Sequence, residues 1–134
     1  DGAYTQQAAL KLIRASADSL ILSFSPGTSK TGMRPDIGAD FTYAAIKADK
    51  WDLRMLSSTL SMAYVARGSL AAYLLFEISS PVHIAAGALL CQEAGGTVTN
   101  TSGDPWMVEY NSILAAGSAG LHADIAGLIA QTAR

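Results

Sequence analysis

From Pro81 to Ala94 the chain reads PVHIAAGALLCQEA, and the helix this spacing predicts is apolar on nearly every side. Such a helix is central and buried, so the rest of the chain must be laid around it. Ser80 is placed to cap it, Pro81 suits the first helical position, where a missing N–H costs nothing, and Gly95-Gly96 ends it. Around this centre the pattern alternates. Ser19–Phe24 is a short apolar run bounded by Asp18 and Pro26-Gly27 and predicts a buried strand. Ser25–Gly38 clusters Pro, Gly, Ser and Lys and predicts a loop, followed by helical spacing over Asp40–Asp49. Trp51–Leu56 alternates as a strand. Ser57 or Ser58 then caps a helix that runs to Arg67 and stops at Gly68. Leu70–Phe76, Gly96–Asn100 and Ser112–Ala116 predict further strands, Thr101–Pro105 a turn and Leu121–Thr132 a last helix. Ala9–Arg14 reads as a short strand or the end of a helix. Strands alternating with helices imply an α/β fold, a layered sheet flanked by helices.

The 134 residues suit one compact domain. Half of them are apolar and only 15% are charged. An ordinary soluble domain carries about 25% charged residues, so part of this surface is expected to be covered by a partner. A net charge of -2 gives no reason to expect nucleic acid or an anionic membrane. The apolar runs fall well short of the roughly 20 residues that span a bilayer. With no secretory or lipidation signal visible, the chain reads as cytoplasmic. It begins at Asp1 without Met, as a processed product, a fragment or a subunit would. Cys91 has no second cysteine to pair with and lies in the apolar helix, where buried packing is expected of it.

Four motifs carry a family likeness. They are Ser57-Ser58-Thr59-Leu60, Ala63-Tyr64-Val65-Ala66-Arg67-Gly68, Pro81-Val82-His83-Ile84-Ala85-Ala86-Gly87 and Glu93-Ala94-Gly95-Gly96-Thr97-Val98-Thr99. In this order they resemble the GSAAL, LAYVAAGRLDGY, PWDxAAG and EAGG-VTD segments of the inositol monophosphatase family of metal-dependent phosphatases. Thr99–Trp106 and Ser112–Gly117 with Leu121-His122 resemble the segments that follow, and Gly2-Ala3-Tyr4 resembles a segment that precedes. The resemblance implies that residues 1–134 form a single domain with a layered mixed sheet, like the C-terminal half of such an enzyme, with residues 1–18 at the edge of an absent N-terminal half. The family's Glu-Glu pair and its D-P-[IL]-D-G-T loop have no counterpart here. Pro35-Asp36-Ile37-Gly38 only echoes that loop, without its leading Asp and its Thr.

The resemblance also implies a function. A family member hydrolyses small phosphorylated polyols or sugars with Mg²⁺, a hard cation that takes oxygen ligands in near-octahedral geometry. Such ions clamp the phosphate and activate the attacking water. The carboxylates that hold them would lie on an N-terminal half or a partner chain, in a homo- or hetero-oligomer, so the isolated chain is expected to be inactive and to hold no catalytic residue of its own. His83 stands where the family has its metal-binding Asp, and Val82 where it has Trp. Either His83 still faces a metal, where imidazole suits Zn, Mn or Fe better than Mg, or the position has decayed and the ring packs. Ser57 and Ser58 stand at the helix start that contacts substrate hydroxyls in the family; simple capping is the other reading. Leu75 occupies a substrate-binding Glu position, with Glu77 two residues on, and Ala71 replaces an Asp. Lys30 and Arg34 could reach a phosphate from a loop or be solvated surface, while Asp104 and Glu109 read as turn or solvated residues, Glu93 and His122 as structural ones, and Trp51 and Trp106 as anchors. The alternative function is a catalytically defective pseudo-phosphatase, acting as a binding or oligomerisation module.

Overall fold

Two short runs, Ala72–Leu75 and Ile113–Ala116, are buried along their whole length and form the centre of the sheet. The computed structural model describes residues 4–5, 8–9, 21–25, 35–56, 58–78 and 80–132. In chain order its elements are β1 (Tyr4–Thr5), β2 (Ala8–Ala9), β3 (Ile21–Ser25), α1 (Pro35–Ala48), β4 (Asp52–Arg54), α2 (Leu60–Ala66), β5 (Ala72–Leu75), α3 (Val82–Glu93), β6 (Thr97–Thr99), β7 (Ile113–Ala116) and α4 (Ala119–Thr132). β1 and β2 make a small antiparallel pair, with Tyr4 opposite Ala9. The other strands form one five-stranded mixed sheet in the order β4-β3-β5-β7-β6. β4, β3 and β5 run parallel; β7 is antiparallel to both β5 and β6.

The topology decides which helix covers which face. The connection β3-α1-β4 steps outward by one strand, and β4-α2-β5 steps back across β3. Parallel crossovers are right-handed almost without exception, so two steps in opposite directions put their helices on opposite faces. The cores agree. Alternation along β5 sends Tyr73 and Leu75 to one side, where they join Met62, Val65, Ile84, Ala88 and Cys91 of α2 and α3. Ala72 and Leu74 point to the other side and meet Phe41 and Ala45 of α1 and Ile125 and Ile129 of α4. There Phe41 packs edge-to-face on Phe76, with ring centroids 5.4 Å apart. The molecule is therefore three layers, α/β/α, as the alternation of elements predicts.

Both inner helices end where their glycines place the stop. Gly68 (φ 81°) and Gly95 (φ 88°) take the left-handed conformation that glycine adopts without penalty. After α2, Gly68 N donates to Val65 O and Ser69 N to Tyr64 O; after α3, Gly95 N donates to Gln92 O and Gly96 N to Cys91 O. These paired bonds satisfy the last carbonyls of each helix in a Schellman motif.

Three expectations need correction. α1 begins at Pro35, inside the stretch read as a loop, because Pro at the first helical position already carries a helical φ. Gly38 is tolerated within that helix, and the Thr42 hydroxyl donates back to its carbonyl at 2.6 Å. α2 begins at Leu60, and Thr59 rather than the expected Ser57 or Ser58 holds its N-cap position. α3 is not buried all round: Ile84, Ala88 and Cys91 face the sheet, while Val82 and Leu89 are 70% and 51% exposed. Leu10–Arg14, Gly2, Ala3, Lys30, Arg34 and Ser57, and most of the 1–18 edge, lie outside the described residues. Among the described residues no helix is long and apolar enough to cross a membrane.

Candidate functional site

α2 and α3 lie side by side on the sheet, and a groove of about 260 Å³ opens between their outer sides. Its walls are Thr59, Leu60 and Ala63 on α2 and His83, Ala86, Gly87 and Leu90 on α3. The spacing of the α3 residues, i, i+3, i+4 and i+7, marks one stripe of a helix. That stripe is rotated away from the Ile84-Ala88-Cys91 stripe that faces the core. The lining is apolar except for Thr59 and His83, and His83 is exposed at the first turn of α3.

The start of α2 explains what reaches the groove. Thr59 already has helical dihedrals (φ −60°, ψ −20°), and two short bonds tighten the turn: Ser61 N donates to Ser58 O at 3.0 Å and Met62 N to Thr59 O at 3.2 Å. The Ser58 hydroxyl, one residue ahead of the N-cap, accepts from Leu60 N at 3.2 Å, leaving its O–H able to donate to solvent or ligand. The residues that face His83 are thus Thr59 and Leu60, one step beyond Ser58. Sequence reasoning passed over both. The signal was present, because Thr59 falls on the third position of the GSA-type turn.

At α3 the Ser80 carbonyl accepts from His83 N at 3.3 Å and the Pro81 carbonyl from Ile84 N at 3.0 Å. The groove offers a single nitrogen donor and no carboxylate. Among the described residues no three His, Cys, Asp or Glu side chains come together as a metal cage. Mg²⁺ needs several oxygen ligands, so the described residues do not by themselves fit it.

The other singled-out residues are structural in their contacts. Leu75 is buried in the α2/α3 core, and Glu77 lies half-buried past the end of β5. Asp104 closes a turn: its carboxylate accepts from Asn100 Nδ2 at 3.1 Å, while Asn100 Oδ1 accepts from the N–H of Ser102 and of Asp104, both at 2.9 Å. Glu109 and Glu93 are exposed. Trp106 Nε1 donates to Ser112 O at 3.0 Å and anchors the loop beside β7. Trp51 is half-buried against the α1/α4 core. His122 Nε2 lies 2.8 Å from Thr99 Oγ1, whose own proton goes to Asn100 O at 2.7 Å, so Nε2 is the donor. Burial lowers the pKa of His122 and raises that of Tyr73.

The family model described as "Inositol monophosphatase family" matches residues 1–134. The chain belongs to the inositol monophosphatase family. It is 37% identical over 83 residues to the inositol-1-monophosphatase ImpA of Mycolicibacterium smegmatis, covering 61% of this chain and 29% of that protein. It is 36% identical over 69 residues to the inositol-1-monophosphatase of Bacillus subtilis, covering 52% and 26%. Among solved structures, it superposes on the Thermotoga maritima IMPase with a TM-score of 0.76 at 24% identity, covering 99% of this chain and 49% of that one. Inositol monophosphatase II of Staphylococcus aureus gives a TM-score of 0.68 at 28% identity, covering 92% and 45%. The chain thus spans about half the length of the family structures it matches and under a third of the matched relatives. Those relatives are phosphoric monoester hydrolases by name.

Proposed function

We propose that this chain is the C-terminal part of an inositol monophosphatase-like, metal-dependent phosphatase that acts on small phosphorylated polyols or sugars. An N-terminal half or partner chain supplies the carboxylates that hold Mg²⁺. The observation that carries this reading is the outer surface of α3. Val82, Ala86 and Leu89 form an apolar stripe opposite the core-facing one, and Leu60 of α2, 58% exposed, continues it beside the groove. A surface helix ordinarily turns a polar side outward. An apolar outer stripe next to the groove fits a second layer that also brings the missing ligands. In that assembly His83 and the Thr59-Leu60 turn would face the substrate, and Ser57 and Ser58 would bind it. One observation favours the alternative, a pseudo-phosphatase: the groove holds an imidazole and no carboxylate.

Phosphate release from inositol monophosphate in Mg²⁺ separates the possibilities. The 134-residue chain alone is expected to give none, and co-expression with a segment bearing D-P-[IL]-D-G-T is expected to restore it. Turnover by the chain alone, abolished by EDTA, would overturn the need for a second half. An assembly that forms yet stays inactive would favour the binding module.

A further inference from the structure

A second cleft lies on the other helical layer, where α1 ends and the chain turns into β4. It runs between that turn and α4 and has a volume of about 370 Å³. Small-molecule sites span roughly 300–1,000 Å³. Every residue that lines it is a described one. Asp124, Gly127, Leu128 and Gln131 recur at i, i+3, i+4 and i+7, a stripe of α4 rotated away from the core-facing Ile125 and Ile129. Gly127 keeps the cleft open, since a Cβ there would meet nothing within 4 Å. Opposite this stripe stand Lys50 and the half-buried Trp51.

The two charges in the cleft are of opposite sign and do not meet. Lys50 Nζ rests over the Trp51 ring, 6.0 Å from its centroid. Among the described residues no ion pair joins it to Asp124. The carbonyl end of α1, at Ala48, borders the same space and carries partial negative charge. Asp124 and this helix end together favour a positive group on the ligand. Lys50 favours a negative one, and its flexible stem lets the ammonium swing off the indole to reach it. The indole face so freed suits an aromatic ring in offset stacking.

We propose that this cleft binds a free amino acid with an aromatic side chain, its ammonium at Asp124, its carboxylate at Lys50 and its ring on Trp51. The site is distinct from the α2/α3 groove, which lies on the opposite face of the sheet. Titration calorimetry of the 134-residue chain with L-phenylalanine tests it. The wild type is expected to bind. Lys50→Gln and Asp124→Asn are each expected to weaken binding about fivefold, the upper end of what an exposed ion pair contributes. Gly127→Leu fills the cleft with a side chain that α4 has room for, and is expected to abolish the heat without lowering the melting temperature. L-Phenylalaninamide, which lacks the carboxylate, should bind more weakly than the amino acid and be indifferent to Lys50→Gln. N-acetyl-L-phenylalanine, which lacks the ammonium, should be weaker too and indifferent to Asp124→Asn. A wild type that gives no heat at millimolar L-phenylalanine overturns the proposal. So does equal binding of the three compounds, which marks a merely apolar surface, or wild-type affinity in Gly127→Leu or in both charge variants.

Discussion

Gly87 of α3 faces Met62 of α2 so closely that a Cβ on Gly87 would stand 2.9 Å from Met62 Cβ and Sδ and 2.5 Å from Cε. The Cε end can swing aside. The Cβ cannot, because it is fixed to the α2 backbone. The two helices therefore cross at a distance that only glycine permits.

Gly87→Ala tests that crossing, with two effects opposed. Alanine improves helix propensity by about 1 kcal/mol, and forced overpacking costs about 1–3 kcal/mol. Since rotamer change cannot relieve the Cβ contact, the cost is expected to win by about 1 kcal/mol. Thermal unfolding should fall by roughly 3–5 °C for a chain of this size. A higher melting temperature would show that the helices separate at little cost and that their crossing is looser than described.

Cys91 points the other way along the same contact. It is fully buried, its Sγ donates to the Met62 carbonyl at 3.2 Å, and burial pushes its thiol up to about 12. The thiolate is the reactive form, so the folded chain should resist alkylation at neutral pH and react only on unfolding. Iodoacetamide labelling followed by mass spectrometry, with and without denaturant, checks this. Rapid labelling of the folded chain would contradict the burial of α3 against α2.

Local chemistry made some of this legible beforehand and long-range packing did not. Gly68 and Gly95-Gly96 announce the ends of α2 and α3 because a left-handed residue is needed there whatever the surroundings. β5 and β7 are readable because continuous apolar runs suit strands buried on both sides. The start of α1 was hidden because Pro35 and Gly38 signal loops as readily as helix starts, and only the seating of Phe41 against Phe76 decides between them. The apolar girth of α3 was visible, but hydropathy states only that a face is to be covered, not by which layer. At the groove, His83 was found from its motif position. Thr59 and Leu60 were missed because a one-residue shift of the α2 cap changes which side chains turn toward α3.

His122 ties α4 to the end of β6 through Thr99. Burial holds its pKa below the ordinary 6.5, so the unfolded chain takes up the proton first as pH falls. The neutral, folded form is favoured above 6.5, and the stabilisation is lost as pH drops from there toward the lower folded value. Melting temperature is therefore expected to fall between about pH 7.5 and 5.5. His122→Gln keeps an N–H donor and removes the titration, so it should flatten that slope at a cost of about 1 kcal/mol or less. A wild type and variant with parallel pH profiles would remove His122 as the cause.

If His83 faces the cation of the proposed assembly, its donor type does not match Mg²⁺, which sets the sign of a last experiment. Imidazole nitrogen suits Zn or Mn, whereas Mg²⁺ prefers a hard carboxylate oxygen. His83→Asp places such an oxygen at the mouth of the α2/α3 groove, off the core-facing stripe of Ile84, Ala88 and Cys91. In the assembled phosphatase the variant is expected to bind Mg²⁺ on the order of tenfold more tightly, the scale on which single groups around a metal act. Zn²⁺ binding should weaken in step, since the nitrogen ligand is gone. Titration calorimetry with both ions reads the two changes together. Equal heats and affinities for wild type and variant with either ion would mean that the side chain at position 83 does not face a cation, and that the groove's remaining role lies in packing.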